Sequence, residues 1–333
     1  MQELNRIPIV MNNKLQLTNQ KKPVTIITGF LGSGKTTLLN QILTNRQNLK
    51  IAVLVNEFGE INIDSQLLVS IDEDMMLLSN GCICCTINAS LIDAVNQVLK
   101  RDNIDYIVIE TTGLAEPVPL MMTFTSSDLR DITRLDSILT VVDAENFDSN
   151  KFESKIALEQ VIYGDIIILN KIDLVSSEKL HKIEEYINSV KVGAKIIHSK
   201  YGKIPLSLIL DVGESNLKSL SRSSLQYNLK SSSMDGLAED NLMSVSFQSH
   251  KPLSIEKFNK FLDEQLPKTV FRGKGIIWYQ GSKLRHIFQL SGKRCNFQRD
   301  EWINSPQNQL VFIGKNLDPE KITRQLEECV VNI

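Results

Sequence analysis

The sequence predicts an α/β fold with a mostly parallel sheet covered by helices, followed by a smaller α+β domain. Apolar β-branched runs alternate with segments whose apolar residues recur at helical spacing, which favours a parallel sheet with helices on both faces. The first of these runs leads directly into the pattern G-x-x-x-x-G-K-[ST]. A stretch rich in Ser, Asn, Gly and Asp over 212–241 separates this part from a second group of apolar segments. The first domain is therefore predicted to be a P-loop NTPase domain.

Length, composition and charge narrow the class of protein. The chain has 333 residues, 42% hydrophobic and 23% charged, which suits two globular domains with real cores. Its net charge of -2 gives no electrostatic reason to expect nucleic acid or an anionic membrane as a partner. No apolar run approaches the roughly 20 residues of a membrane helix. Residues 1–22 lack a secretion signal's apolar core, so we expect a flexible arm. The five cysteines, three of them crowded at 82–85, do not suggest a secreted disulfide scaffold, so we expect a reducing, cytoplasmic location.

The P-loop pattern occupies residues 29–37 with the sequence GFLGSGKTT. The run at 24–27 predicts the strand before it, and apolar residues at 38, 39, 42 and 43 predict the helix after it. Glycines let the backbone bring N–H groups close to phosphate oxygens at the positive end of that helix. We expect Lys35 to reach the β- and γ-phosphates and the Thr36 hydroxyl to bind Mg²⁺. The predicted nucleotide-binding residues of the loop are Gly29, Gly32, Ser33, Gly34, Lys35, Thr36 and Thr37.

The next two apolar runs, 51–55 and 75–78, both lead into polar segments. NEFGE at 56–60 is an acidic loop that can sense a γ-phosphate or approach a metal in a P-loop protein. SNGCICCT at 79–86 holds three cysteines, and apolar residues at 91, 95, 98 and 99 then predict a helix.

The apolar run at 104–109 predicts a strand that ends in ETTG at 110–113. A carboxylate at a strand's carboxyl end, followed closely by glycine, suits a Walker B position. We expect Glu110 to act on the Mg²⁺ shell or its water and the Gly113 N–H to contact the γ-phosphate. Lys35, Thr36, Glu110 and Gly113 are therefore the predicted catalytic residues.

NKID at 170–173 predicts the base of the nucleotide, because it follows a predicted strand at 166–169. A further strand at 138–142 precedes it and ends in Asp143. An ionised Asp173 offers only acceptors, and guanine presents two adjacent donors to it. Adenine places an acceptor where one of those donors would be, so such a site rejects it strongly. We therefore expect GTP, with its base bound by Asn170, Lys171 and Asp173.

Cys82, Cys84 and Cys85 allow three interpretations: buried core thiols, a redox pair at the C-x-x-C spacing, or a thiolate metal site. Three thiols within four positions favour the metal site over ordinary core packing. Thiolates prefer Zn²⁺, Cu⁺ or Co²⁺ to Mg²⁺.

The thiolate site would need a further ligand, because structural zinc sites close with four. Cys295, Cys329 and the four histidines lie far away in the sequence. The fourth position is therefore left to water, to a carboxylate such as Glu57, or to a ligand of another protein. An open site suits transfer or sensing better than permanent structural binding.

Five motifs, at 29–37, 56–60, 81–86, 110–117 and 170–173, together resemble the CobW family of P-loop GTPases over nearly the whole chain after Lys22. The resemblance implies a metal-dependent GTPase that acts as a metallochaperone or metalloenzyme maturation factor. It also implies that Cys82, Cys84 and Cys85 are the metal site. Many relatives carry a histidine-rich tract, which this sequence lacks.

Together these features predict a GTP-hydrolysing metallochaperone that carries Zn²⁺ or Co²⁺ to a client metalloprotein, with GTP and Mg²⁺ at the P-loop. No histidine or glutamine stands out as the group that orients the attacking water, so we expect slow hydrolysis. The oligomeric state stays open, with a nucleotide-dependent homodimer as one arrangement. Two rivals lack metal delivery: a regulatory GTPase whose thiols sense oxidation, and a GTP-switched adaptor.

The predicted boundaries are an arm at 1–22, a GTPase domain at 23–211, a linker at 212–241 and a CobW-like C-terminal domain at 242–333, where we expect the client to dock. In the last domain, strands are predicted at 243–247, 275–279, 286–290 and 310–314, with helices at 255–262 and 322–329. Trp278 and Tyr279 are predicted to be core residues rather than partner contacts. A basic cluster predicts either a solvated face or a docking surface for an acidic client segment; it consists of Arg272, Lys274, Lys283, Arg285, Lys293 and Arg294.

Overall fold

The computed structural model describes residues 21–46, 49–56, 75–78, 87–100, 104–126, 128–147, 155–211, 242–302 and 305–331. The predicted linker, Glu57 and the cysteines at 82, 84 and 85 lie outside these residues, as does the predicted arm up to residue 20. Within the described ranges, no helix is both long and apolar enough to cross a membrane.

The first domain is built on a parallel sheet, as predicted, with seven strands among the described residues in the order β3-β2-β4-β1-β5-β6-β7. The strands are β1 (Lys22–Gly29), β2 (Ile51–Asn56), β3 (Met75–Leu78), β4 (Tyr106–Glu110), β5 (Thr133–Asp143), β6 (Ile166–Asn170) and β7 (Ile196–His198). β1 begins at Lys22, which pairs with Thr133 of β5, so the strand takes up the last residue assigned to the arm.

Helices cover both faces of this sheet. They are α1 (Lys35–Thr44), α2 (Ile87–Leu99), α3 (Pro117–Ser126), α4 (Leu129–Ile132), α5 (Lys155–Tyr163), α6 (Ser177–Val190) and α7 (Leu206–Ile209). Successive strand residues point to opposite faces. Ile27 of β1 therefore packs in one core cluster with Leu39 of α1, and Ile26 packs in another with Val95 of α2.

The C-terminal domain contains a five-stranded antiparallel sheet in the order β11-β10-β9-β12-β8. Its elements are β8 (Leu242–Ser249), α8 (Ile255–Lys260), a π-helical turn (Phe261–Gln265), β9 (Val270–Ile277), β10 (Arg285–Ser291), β11 (Arg294–Asp300), β12 (Asn308–Lys315) and α9 (Pro319–Glu328). The α+β prediction is confirmed. β9 ends at Ile277, two residues before the predicted strand end, and Tyr279 is buried in the core as expected.

The two faces of the C-terminal sheet have different neighbours. One face packs against α8 and α9 around Phe258, Phe288 and Phe312. On the other face, Phe271 and Ile313 belong to the same buried cluster as α1 and α7 of the first domain. The C-terminal sheet is therefore packed directly on the first domain.

Half of the basic cluster of the C-terminal domain lies in this contact, so both predictions for it, a solvated face and a client docking surface, are wrong for three of its six members. Three of its cations pair with carboxylates of the first domain: Arg272 with Asp136, Arg294 with Asp165, and Lys274 with Asp211. Lys293 donates to the Val192 carbonyl, and Arg285 pairs with Asp300 in its own domain. The sequence shows the clustered charge but not which sheet face is covered.

The carboxylates that receive these cations lie at the amino edge of the parallel sheet. Asp136 is near the start of β5, and Asp165 directly precedes β6. Val192 lies before the start of β7. The C-terminal domain is therefore attached at the edge opposite to the carboxyl ends of the strands, where ligands of open parallel sheets bind.

Candidate nucleotide and metal site

The P-loop joins the end of β1 to the start of α1 at the carboxyl edge of the sheet. Gly34 has φ 101°, and a Cβ on it would lie 2.4 Å from Asn170 Nδ2, so no larger residue fits there. Gly34 is also the N-cap of α1, and a glycine has no side chain that could cap this helix end. The first N–H groups of a helix have no partner within it, and they attract a phosphate.

Lys35 bends back over the loop that precedes it. Its side chain is mostly buried, and its Nζ donates to the Phe30 carbonyl at 3.2 Å. The ammonium group therefore already lies inside the loop, where a nucleotide's phosphates would meet it.

Thr36 and Glu110 form a hydrogen-bonded pair, in which the Thr36 hydroxyl donates to Glu110 Oε1 at 2.7 Å. Glu110 is buried at the end of β4, opposite Ile27 in the β1 register. Hydroxyl and carboxylate oxygens are the hard ligands that Mg²⁺ prefers. The sequence prediction that these two residues act on one ion is consistent with their contact and stays a prediction.

Three other hydroxyls in or next to the P-loop and Gly113 are buried without a hydrogen-bond partner among the described residues: Thr28 Oγ1, Ser33 Oγ and Thr112 Oγ1. Buried polar atoms are normally paired, so orphans at one place call for a ligand or water. Together with the uncapped helix end and the Thr36–Glu110 pair, they fit a nucleotide with Mg²⁺.

Gly113 lies against the P-loop. A Cβ on it would be 2.6 Å from Leu31 N, so only glycine allows this approach. Its carbonyl and that of Ala115 each accept a hydrogen bond from Gln160 Nε2 at 3.2 Å. Sequence reasoning missed Gln160; the available signal was a glutamine in the apolar stretch IALEQVIY of α5.

The three predicted base-binding residues have different surroundings. Asn170 is buried and bridges two loops: its Nδ2 donates to the Ser33 carbonyl at 3.0 Å, and its Oδ1 accepts from Gly202 N at 3.2 Å. Lys171 has φ 60°, and its Nζ donates to Asp143 Oδ2 at 2.6 Å. Asp173 is exposed in the turn Ile172–Leu174. Asp173 is therefore the member of the motif that is open to a base.

Asp143, for which no role is predicted from the sequence, supports Lys171 from the end of β5. Its Oδ1 also accepts from the backbone N–H groups of Glu145 and Asn146. Burial raises the pKa of Asp143, but the hydrogen bonds from Asn146 and Lys171 outweigh it and hold the pKa below its ordinary value. The carboxylate is thus ionised at neutral pH and fixes the lysine.

The predicted metal ligands Cys82, Cys84, Cys85 and Glu57 fall outside the described residues, but the strands that lead to them do not. Asn56 ends β2 and pairs with Leu78, which ends β3. In β4, Glu110 pairs with Val55 of β2. Both segments therefore begin at the sheet edge that carries Glu110.

The described residues offer no alternative metal site, since they hold no group of three or more His, Cys, Asp or Glu side chains that could bind an ion. Burial raises the pKa of both Cys295 and Cys329 to about 11. These two thiols are therefore protonated at neutral pH and poor metal ligands.

Comparison with known families agrees with this geometry. Residues 23–198 match the model for the CobW/HypB/UreG nucleotide-binding domain. The chain belongs to the CobW family. Its residues 242–330 match a second model, the cobalamin synthesis protein cobW C-terminal domain.

Three relatives cover most of this CobW-family chain. Zinc-regulated GTPase metalloprotein activator 1 of Dictyostelium discoideum is 33% identical over 94% of this chain and 80% of its own. The protein of the same name from Schizosaccharomyces pombe is 35% identical over 89% of this chain and 82% of its own. Zinc chaperone YjiA of Escherichia coli K12 is 33% identical over 90% of this chain and 96% of its own.

Proposed function

We propose that this chain is a GTP-hydrolysing zinc carrier, in which the state of the nucleotide controls a thiolate metal site and the metal passes to a client metalloprotein. GTP hydrolysis is the activity of a P-loop GTPase of the CobW family, and the relatives named above are zinc-regulated GTPases or zinc chaperones. Zn²⁺ is therefore favoured over Co²⁺ as the metal carried. Cys82, Cys84 and Cys85 would bind it, with Glu57 as a further ligand.

The single observation that carries the proposal is the alignment of three strand ends. β3, β2 and β4 are neighbours, and their last residues include Leu78, Asn56 and Glu110. Because strands of a parallel sheet end at one edge, the segments after β2 and β3 start beside the Thr36–Glu110 pair. A metal held by those segments would thus lie close to the nucleotide's terminal phosphate.

We call the P-loop (29–37) and the loop 110–115 beside it the phosphate cradle. In the GTPase reaction, each described residue of this cradle has a role that its geometry supports. Lys35 and the N–H groups at the start of α1 bind the phosphates, Gly113 lies beside the P-loop where a γ-phosphate would end, and Glu110 holds Thr36 in place. Bound Mg²⁺ would neutralise charge that develops on the phosphate oxygens. Water attack on the γ-phosphate then gives GDP and inorganic phosphate.

Coupling between the nucleotide and the metal follows from contacts that need the γ-phosphate. Hydrolysis removes those contacts, and segments ordered by a γ-phosphate are then released. Such coupling is typically about 1–3 kcal/mol, or about 5–150-fold in affinity. Complete switching needs about 5.5 kcal/mol. A client that offers its own ligands would therefore complete the transfer.

The test is a competitive Zn²⁺ titration of the wild-type chain with a non-hydrolysable GTP analogue, with GDP and without nucleotide. We expect the GTP analogue to tighten Zn²⁺ binding about 5–150-fold over GDP. Equal affinity in all three states would overturn the carrier and leave a GTPase that senses or recruits without carrying metal.

The matching variant is Cys84→Ser, which removes one proposed thiolate. We expect it to weaken Zn²⁺ binding strongly while GTP binding stays unchanged, because the P-loop follows β1 whereas Cys84 follows β3 in the chain. Cys295→Ser is the control, since its protonated thiol lies on β11 in the other domain. An equal loss of metal and GTP affinity in Cys84→Ser would contradict this division of roles.

A nucleotide-dependent homodimer is the second part of the proposal. Three large apolar side chains in or next to the P-loop are exposed: Phe30 at 43%, Leu31 at 77% and Leu114 at 53%. Their burial between two copies would favour association when the nucleotide has ordered this edge. We expect a GTP analogue to raise the mass of the wild-type protein in solution, and Leu31→Ser to prevent this. A mass independent of nucleotide would overturn the dimer but not the carrier.

A further inference from the structure

Gln160 of α5 is a buried amide aimed at the loop that follows Glu110. Its side chain is 1% exposed, and its Nε2 donates to the carbonyls of Gly113 and Ala115, each at 3.2 Å. Because both carbonyl oxygens are acceptors, the group of the Gln160 amide that contacts them must be its NH₂ group. The two protons of this group thus fix two points of one loop.

The helix that carries Gln160 is itself anchored to the central sheet at this residue. The Gln160 carbonyl accepts from Thr140 Oγ1 of β5 at 2.6 Å and from Gly164 N at 3.1 Å. A Cβ on Gly164 would lie 2.3 Å from Thr140 Oγ1, so the close approach of the chain to β5 needs glycine there. The amide of Gln160 is therefore presented from a fixed backbone.

One αβ unit holds the phosphate cradle from both sides. From its helix, Gln160 of α5 holds the loop of Gly113. From the end of its strand, Asn170 of β6 donates to the Ser33 carbonyl of the P-loop. The two loops meet where Gly113 lies against Leu31. A shift of α5 relative to β6 would therefore change the spacing between these loops.

We propose that Gln160 is a positioning residue for GTP hydrolysis: it holds the loop of Gly113 at the distance from the P-loop at which the Gly113 N–H meets the γ-phosphate. This rests on the GTPase function proposed above and adds a residue to it. Gln160 touches the loop and not the nucleotide, so it acts through Gly113. A donor that acts on developing charge must be held in place before the reaction.

The test compares wild type with Gln160→Met, which keeps the length of the side chain and removes both N–H donors. We expect kcat for GTP to fall on the order of 10²-fold, the loss that a small misplacement of a catalytic group can cause. The KM for GTP and the affinity for GDP should change less than about threefold, because interactions made mainly in the transition state act on kcat. A second variant, Gln160→Asn, keeps the amide but shortens its reach, and it should lose kcat in the same way.

Thr133→Val is the matched control for a general loss of stability. Thr133 Oγ1 donates a buried hydrogen bond of 2.7 Å to the Leu129 carbonyl at the far end of β5. Its loss should lower the unfolding temperature without changing kcat. Hydrogen exchange of a peptide that covers 111–115, measured with a GTP analogue, should rise in Gln160→Met and not in Thr133→Val.

The outcomes separate this inference from the proposed function. Wild-type kcat values in both Gln160 variants, or losses of kcat that match a loss of GDP affinity, would overturn the positioning role and leave the GTPase intact. Wild-type protein that binds GDP but hydrolyses no GTP would overturn the proposed function itself, and the positioning role with it. If Gln160→Met does not fold, Gln160→Asn decides on the same readouts.

Discussion

At the scale of single residues, members of one short motif have separate physical roles. Asn170 and Asp173 are three positions apart in NKID. Asn170 is buried and uses both ends of its amide on backbone groups of the P-loop and of Gly202. Asp173 is exposed. The first residue therefore connects the P-loop to the chain around Gly202, and the second is the one that we propose to bind the base.

Asp173→Ala should change specificity without changing stability. The variant loses the acceptor pair that matches guanine, so we expect the preference for GTP over ATP to fall by a factor on the order of 10² or more. Its unfolding midpoint should stay at the wild-type value, because the side chain is exposed. Competition between labelled GTP and ATP measures the first quantity, and urea unfolding measures the second.

Asn170→Ala should give the opposite result. Removing its amide leaves the Ser33 carbonyl and the Gly202 N–H without partners, at a cost of about 1–3 kcal/mol each. We expect lower stability and weaker binding of GTP, GDP and ATP alike, with the ratios between them largely kept. A variant of normal stability that loses only guanine preference would show that Asn170 faces the base instead.

At the scale of elements, the turn between β10 and β11 shows how the two domains fit together. Gly292 in this turn has φ 57°, and a Cβ on it would lie 2.0 Å from the Asp165 carbonyl. The residues on either side of it reach the same region, since Lys293 donates to the Val192 carbonyl and Arg294 to Asp165. The hairpin tip is thus seated against the chain just before β6 and β7.

Gly292→Ala should weaken the contact between the two domains, and its cost in stability should exceed the local backbone strain alone. A left-handed alanine costs about 1–2 kcal/mol by itself. Gly281→Ala is the matched control, because Gly281 has φ 78° and nothing within 4 Å of its Cβ position. We expect Gly292→Ala to be the less stable of the two in urea unfolding and to be cut faster by protease within 212–241. Equal behaviour would mean that the hairpin tip is not seated as described.

Much of the element order could be predicted from the sequence, because buried parallel strands are short β-branched runs and the phosphate loop has a fixed spacing. β11 could not: its sequence RCNFQRD is mostly polar, as suits an edge strand. Gln160 and Asp136 were missed for a related reason. Their roles depend on partners far away in the chain, and no local pattern encodes those.

At the scale of the whole molecule, buried ion pairs join the two domains. Arg272 is 6% exposed and donates to both oxygens of Asp136, at 3.1 and 2.9 Å. Tyr106 also donates to Asp136. Charges buried in this way are stabilising only while every partner remains.

Arg272→Met should therefore be destabilising, because it removes one of the two buried cations that pair with Asp136. Arg134 Nη1 still donates to Asp136 Oδ1 at 3.1 Å, so we expect the loss to stay below the roughly 3–5 kcal/mol of a buried pair broken completely, but above that of an exposed pair. The double variant Arg272→Met with Asp136→Asn should recover part of this loss. Arg285→Met is the control, since Arg285 pairs with the half-exposed Asp300 within one domain, and it should cost at most about 1 kcal/mol. Urea unfolding of the four proteins measures all of these quantities, and equal losses for Arg272→Met and Arg285→Met would contradict the prediction.

The stability of the folded protein should also depend on pH. Burial, with the charges of Lys293 and Lys268, lowers the pKa of Lys195 from 10.5 to about 8. Between these values the folded state holds fewer protons than the unfolded state, so its stability rises with pH. Tyr106 opposes this above about pH 10, because burial raises its pKa and the folded state keeps a proton that an unfolded tyrosine loses.

We expect the unfolding free energy to increase from about pH 8 to about pH 10, and the increase to be shallower in Lys195→Met. Lys191, whose pKa burial also lowers to about 8, should supply the remaining slope. Lys182→Met is the control, because Lys182 pairs with Glu178 on the exposed side of α6. A slope in Lys195→Met equal to that of wild type would refute the assignment.

The strands of the first domain have the phosphate cradle at one end and the C-terminal sheet at the other. The C-terminal sheet therefore leaves the mouth of the phosphate site unobstructed, and a nucleotide can enter or leave without any movement between the two domains. The ion pairs that join the domains can thus remain intact throughout a cycle of GTP binding, hydrolysis and release.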